Sequence, residues 1–443
     1  MASTVISIPN GDVVALKQKK FQFSFRSFVS LFKEKIQKRS SDDTKKLIHS
    51  IKVGIALVLV SLLYLLNPLY KKAGENAMWA IMTVVVVFEF FAGATLSKGI
   101  NRGIGTILGG SLGCMAAVFA QEVGGVGNVG NAVIVGTSVF IFGAAATHFR
   151  MVPSIKKRYD YGVMIFLLTF NLVVVSGLRA TGVMELARER LSTIGMGFGV
   201  SIFTSLLIFP MWASDEFHYS TASKFENLAS AIEGCLEEYF KVVSEKENQP
   251  SASFKSCKLV LHSKSKDESL ANFARWEPWH GKFGFSHPWD KYQEIGEVLR
   301  ELAATIISLK GCLQSPRQAS STLRQSIKEP CEAVGSSLAW TLRELGDSIM
   351  EMRRCLPKAL ILPKLQSTRQ EIGLVISPSK LATIEGGEGL AISSFVFLLK
   401  EMVEKVGELA KEVEELGELA EFPDKMLAGG HYNENSSINL CCT

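Results

Sequence analysis

The sequence predicts an all-α protein, with six helices crossing a membrane and a helical cytosolic domain after them. Three observations carry this. Hydrophobic residues make up 47% of the 443-residue chain, and its mean hydropathy is positive, at +0.20, which is high for a soluble domain. The apolar residues crowd between about residues 48 and 212. Beyond that the pattern turns charged and helical.

Residues 1–46 are polar and basic, from Lys17 to Lys46, with phenylalanines at 21, 23, 25, 28 and 32. They form a cytosolic N-terminal arm, read either as a surface that lies on anionic lipid or as a mobile tail. No apolar stretch of a signal peptide occurs near residue 10. The membrane domain then covers residues 47–212. Its apolar segments lie near residues 48–66, 77–96, 104–120, 130–148, 160–177 and 191–212. Each is about long enough to cross a ~30 Å hydrocarbon layer as a helix. Inside lipid a helix satisfies its own backbone, so these segments are predicted helical.

Loop charges set the orientation. "SKGINR" and "RMVPSIKKR" carry Lys98, Arg102, Arg150, Lys156, Lys157 and Arg158. The other loops hold Lys71, Lys72, Arg179 and Arg188, and residues 121–130 have no basic residue. The bias places both termini in the cytosol, with Lys71 and Lys72 against the trend.

Residues 213–425 are expected to form the cytosolic helical domain, followed by a flexible tail at 426–443. Residues 244–270, rich in Ser and Lys, are expected to be a flexible insertion. The last long helix carries Phe395, Leu399, Met402, Val406, Leu409, Val413, Leu416 and Ala420, a 3.5-residue seam. Such a seam packs either on a neighbouring helix or on a second copy.

The net charge of +5 does not point to nucleic acid. Eight cysteines form no C-x-x-C pair, which fits a reduced compartment and neither a disulfide framework nor a zinc site. "GVGNVG" at 125–130 matches G-x-G-x-x-G, but it follows a membrane segment, so it is a connector rather than a dinucleotide loop. "ARWEPWHGKFGFSHPWDKY" at 274–292 holds Glu277, His280, His287 and Asp290 in no zinc spacing. It is expected to be a packed aromatic loop pinning cytosolic helices. No nucleophile elbow, P-loop or paired-His helix occurs, so no enzyme, cofactor or metal is expected.

Glu89 is the one carboxylate deep in an apolar segment. A carboxylate there costs ~2.5–3.5 kcal/mol by insertion scales, so it needs a partner. Lys98 is nine residues away, too far for an i,i+4 pair. The expectation is a partner on another span, such as Lys52, Arg190 or Arg150. Two roles stay open, a proton or substrate group and a structural ion pair. Lys52, Arg102 and Arg190 sit at or near span ends. Each alone is read as a snorkelling anchor. Converging, they would favour anions over cations. Gly105, Gly109 and Gly113, and likewise Gly195 and Gly199, repeat every four residues and predict close helix packing.

"NAMWAIMTVVVVFEFFAGATLSKGINRGIGT", "KKRYDYGVMIFLLTFNLVVVSG", "RLST", "PMWASDEFH" and "RWEPWHGKF" together resemble the plant aluminium-activated malate transporters, in that family's order and across roughly residues 45–420. The resemblance implies a homodimeric anion channel passing malate and inorganic anions such as chloride and nitrate, in contact with membrane lipid. It implies that Arg102 and Arg190 line the pore and that Met78 lies near the anion path. It implies a plant membrane, the plasma membrane first and the vacuolar membrane second. The aluminium-responsive members carry acids in the outer loops. Here "NPLYKKAGEN" is basic, and Ala180, Thr181 and Gly182 stand where acids are expected, leaving Glu185. A weak aluminium response follows. The rival readings are a proton-coupled organic-acid exporter using Glu89 and a membrane enzyme built on the "WEPWHG" loop.

Overall fold

The computed structural model describes residues 41–65, 78–124, 129–177, 183–240, 252–284, 286–313, 320–354 and 387–423, with a few single positions between. It divides into two compact units, residues 1–55 and residues 56–443. Helix α1, Ser41–Leu65, runs through the division. In the first unit the described residues 41–55 are all helical, and Lys46 pairs with Asp43 one turn away at 3.7 Å.

Among the described residues of the second unit every regular element is a helix, and the one β-type contact is an isolated bridge between His280 and Phe283. Its first part holds α2 (Met78–Val87), α3 (Ala92–Gly124), α4 (Val129–Met151), α5 (Pro153–Gly177) and α6 (Val183–Leu207). By length and apolar composition α3, α4 and residues 158–176 of α5 can each cross a membrane, while α2 and residues 191–207 of α6 are shorter. Phe119, Phe140, Ile141 and Met115 are more than half exposed. Apolar exposure on this scale calls for lipid or a partner to cover it.

One expectation is corrected here. Residues 77–96 are not a single span, and "SKGINR" is not a loop. α2 stops at Val87, the chain turns through Phe88–Phe91, and α3 runs unbroken from Ala92 past Lys98 and Arg102. No proline or glycine lies in the turn. Thr95 is the local cause: its Oγ1 accepts the Glu89 N–H at 3.0 Å and donates to the Glu89 or Phe91 carbonyl at 3.3 Å. The Ala92 N–H donates to the Met211 carbonyl at 2.9 Å. The break therefore leaves these freed backbone groups satisfied. At 33 residues, α3 is about 50 Å long and exceeds the hydrocarbon layer.

Glycine decides how closely these helices approach. A Cβ on Gly105 would sit 2.4 Å from the Gly162 carbonyl oxygen, and one on Gly109 2.6 Å from that of Phe166. Those two positions let α3 lie against the backbone of α5. In α6 the close position is Gly197, whose Cβ would come 2.4 Å from the Ala80 oxygen, while Gly195 and Gly199 face open space. The expected Gly195/Gly199 face is thus replaced by Gly197, because α6 turns that side toward α2.

The remaining helices are α7 (Ala213–Phe240), α8 (Ala252–Leu261), α9 (Lys264–Ala274), α10 (Trp289–Leu313), α11 (Ser321–Glu351) and α12 (Gly387–Leu419). They share one hydrophobic core. The part of the expected insertion that is described, residues 252–270, is instead mostly helical, in α8 and α9, with Phe254, Cys257, Val260 and Leu270 in that core. On α12 the seam from Phe395 to Leu416 is fully buried within the chain's own core, and the Phe395 ring stacks on Tyr239 at 4.0 Å. The seam is therefore consumed by α7, α10 and α11 rather than left for a second copy.

Candidate functional site

A polar cluster forms where the α2–α3 break meets α5. Glu89 lies in the break, and Lys98 on the second turn of α3 folds back to it as an ion pair. The Lys98 ammonium also sits 5.9 Å from the centroid of the Tyr161 ring. Arg102, one turn further, is buried at 6% exposure and donates from Nη1 to the Tyr161 hydroxyl at 3.1 Å. Its Nε has no partner among the described residues. Asn101 donates to the Arg158 carbonyl at 3.1 Å and fixes α3 against α5. Positions 98 and 102 are four apart, so α3 presents both cations on one face.

A guanidinium stays charged at any working pH, and burying it against a neutral hydroxyl leaves that charge uncompensated. Such a charge can be met by an anion. The helix continues into room for one. Thr106, whose hydroxyl bonds the Arg102 carbonyl at 2.8 Å, lines the end of a cavity of about 1030 Å³ between α3, α5 and α6. Its wall is mostly apolar, broken by Ser111 and Thr169, and Glu122 and Arg188 belong to its lining.

The other sequence-predicted residues are dispersed. Lys52 belongs to the first unit, in α1, with its side chain fully buried. Met78 opens α2, 58% exposed, and lines neither the cluster nor the cavity. Arg190 falls within α6, but its side chain lies outside the described residues, as do the loops at 66–77 and 178–182. Glu89 finds its partner on the next helix of its own segment. Lys52, Arg190 and Arg150 are not needed, because the break folds nine residues into a short reach. Arg150 is instead forked onto Asp160, at 2.8 and 3.0 Å. Sequence reasoning missed Tyr161 and Thr106. An aromatic hydroxyl at a basic helix end and a threonine four residues past an arginine were the available signals.

The 274–292 loop packs against the helices around it. Glu277 is buried and takes the first N–H groups of α7, from Ala213 at 2.6 Å and Ser214 at 3.1 Å, plus the Ser214 hydroxyl at 2.6 Å. A carboxylate at a helix N-terminus is stabilised by its orphan donors and dipole. Burial nevertheless pushes its pKa up, against the pull of those bonds and of His280. His280 stacks on Trp212 at 3.7 Å. His218 and His287 both reach the Tyr292 hydroxyl, at 2.9 and 3.4 Å. Burial pulls each down to about 4, with the Lys282 charge adding to it and, at His287, the His218 charge as well. No group of three metal-ligating side chains occurs among the described residues.

Comparison with known proteins shows the family. The family model described as "Aluminium activated malate transporter" matches residues 37–386. Aluminum-activated malate transporter 12 of Arabidopsis thaliana is 46% identical over 335 residues, 74% of this chain and 59% of that protein. Aluminum-activated malate transporter 10 of the same plant is 36% identical over 433 residues, 89% of this chain and 86% of that protein. Aluminum-activated malate transporter 1 of Triticum aestivum is 34% identical over 402 residues, 88% and 86%. Against the first of these the chain spans about three fifths of the relative's length.

Proposed function

This chain belongs to the aluminium-activated malate transporter family, and on that premise we propose that it is a channel for malate and small inorganic anions. The observation that carries this reading is Arg102: buried, bonded only to a neutral hydroxyl among the described residues, with Nε unpartnered. In the proposed path an anion passes Arg102, enters the cavity at Thr106 and leaves near Arg188. Arg190, on the same helix as Arg188, adds a further positive charge. Basic groups replace lost hydration, while the apolar wall keeps binding weak enough for release. A membrane potential of 100 mV moves a dianion with about 4.6 kcal/mol.

The proposal includes six crossing segments, α1 to α6. It includes a homodimer, both termini in the cytosol, and the plasma membrane as site, with the vacuolar membrane as the alternative. Lipid covers the exposed apolar faces. The basic first loop, and Ala180, Thr181 and Gly182 where acids are expected, favour a weak response to aluminium.

The test is voltage clamp of oocytes, with malate, chloride and nitrate exchanged on each side. Reversal potentials that follow the anion gradient support the channel, and reversal potentials that move with pH support the proton-coupled exporter. Arg102→Ala and Arg190→Ala are each expected to cut malate current about tenfold or more at unchanged surface expression, on the scale of one charged contact. Full conductance in both variants would sink the pore assignment.

A further inference from the structure

A second cavity, separate from the Arg102 path, lies between α3, α4 and α5. It is a groove of about 440 Å³ whose walls include Ile104, Leu108, Phe142, Phe149 and Phe166. Its floor is tight, because Gly105 lies against the backbone of Gly162. Its mouth is open: Ile104, Leu108 and Phe149 are 47%, 50% and 54% exposed. An apolar slot of this kind suits a hydrocarbon chain.

One end of the slot is different in kind. Asn101, Ile155 and Tyr159 close it, and Lys156 and Arg158 stand exposed on the same turns of α5. The Arg158 guanidinium lies 5.6 Å from the Tyr159 ring centroid and 5.4 Å from that of Trp276. The neighbouring acid, Asp160, is taken by the fork from Arg150. Lys156 and Arg158 therefore keep their positive charge toward solvent, and the N-terminus of α5 at Pro153 adds to it. Aromatic rings beside basic groups are the composition of a membrane interface.

We infer that this groove binds an anionic phospholipid, with an acyl chain in the slot and the phosphate on Lys156 and Arg158. The charge pattern selects this occupant. A second copy docked here about a two-fold axis would set the same basic rim against itself. A neutral lipid would leave the rim unmatched. The cytosolic leaflet supplies anionic headgroups, which basic residues near the surface attract. The inference rests on the reading of α3–α5 as membrane spans. Recovery of the chain in the carbonate-resistant membrane fraction tests that reading separately.

The experiment uses the full chain, delipidated in detergent and titrated with dioleoyl phosphatidylserine or dioleoyl phosphatidylcholine, with bound lipid counted by native mass spectrometry. Glycerophosphoserine is added as a competitor without acyl chains. Phosphatidylserine is expected to be retained about thirtyfold over phosphatidylcholine, from two basic residues. Lys156→Glu with Arg158→Glu should erase that preference. Ala145→Trp, at an exposed position lining the groove, should lower retention of both lipids. Glycerophosphoserine should not compete. Equal retention of the two lipids by the unaltered chain would overturn the inference, as would a preference that survives charge reversal. Displacement by glycerophosphoserine would make this a free-anion site instead. Loss of dimer in Ala145→Trp with lipid retention intact would assign the groove to a second copy.

Discussion

Glu89 and Lys98 are ion-paired although nine residues separate them. They meet because the chain breaks between α2 and α3, so that the carboxylate hangs beside the second turn of the helix that follows it. Both side chains keep more than a third of their surface exposed. Pairs this exposed couple by about 0–1 kcal/mol. The break itself is held by Thr95 and by the Met211 carbonyl. Glu89→Gln is therefore expected to leave the fold in place, change malate current less than about threefold and leave reversal potentials unresponsive to pH. A loss of tenfold or more, or a new pH dependence, would return Glu89 to a direct role in transport.

Tyr161→Phe removes the hydroxyl that accepts from Arg102. The unaccompanied guanidinium should then lean more on the permeating anion. The expected result is half-saturation of the current at a lower malate concentration, together with a loss of about 1–3 kcal/mol in stability. A concentration–response series beside a thermal melt in detergent measures both. An unchanged half-saturation would separate Tyr161 from the path.

Gly93→Ala should be costly out of proportion to one methyl group. The new Cβ would lie 2.2 Å from the Phe273 carbonyl oxygen and 2.8 Å from Glu277 Cγ, at the seat of the loop on α3. Backbone in that position cannot yield, so a loss of about 3 kcal/mol is expected. Gly195→Ala meets nothing within 4 Å, and should be neutral or stabilising by up to about 1 kcal/mol. Equal melting temperatures for the two variants would contradict the docking of the loop.

His218 and His287 are held neutral, each pulled to about 4 mainly by burial, in a site they share with Lys282, the Tyr292 hydroxyl and the Met350 carbonyl. The unfolded chain binds these protons near pH 6.5 and the folded chain only near pH 4. The unfolded state therefore carries more protons in that window, and stability falls as pH drops from about 6.5 toward 4. The loss is on the order of 2–3 kcal/mol per histidine. Tryptophan fluorescence melts across that range should show it, and His287→Phe should flatten the slope. A melting temperature constant from pH 6.5 to 4.5 would contradict the buried-neutral assignment.

The helical class, the apolar stretch to about residue 212 and the change of composition beyond it were legible in the sequence, because length, hydropathy and periodicity are local properties. The burial of the α12 seam followed the same 3.5-residue pattern, although the pattern alone left its partner open. The motifs that run from "NAMWA" to "RWEPWHGKF" identified the family from residue order alone.

Tertiary structure decided the rest. The α2–α3 break has no proline or glycine to announce it. It depends on Thr95 turning back and on Met211, more than a hundred residues away, supplying an acceptor. The pairing of Glu89 with Lys98 and the meeting of Arg102 with Tyr161 follow from it. Gly197 rather than Gly195 or Gly199 faces α2, since rotation of a helix about its axis is set by its neighbours. Periodicity names the residues that can share a face, and packing between distant segments chooses which face is buried and which charge is left without a counter-charge.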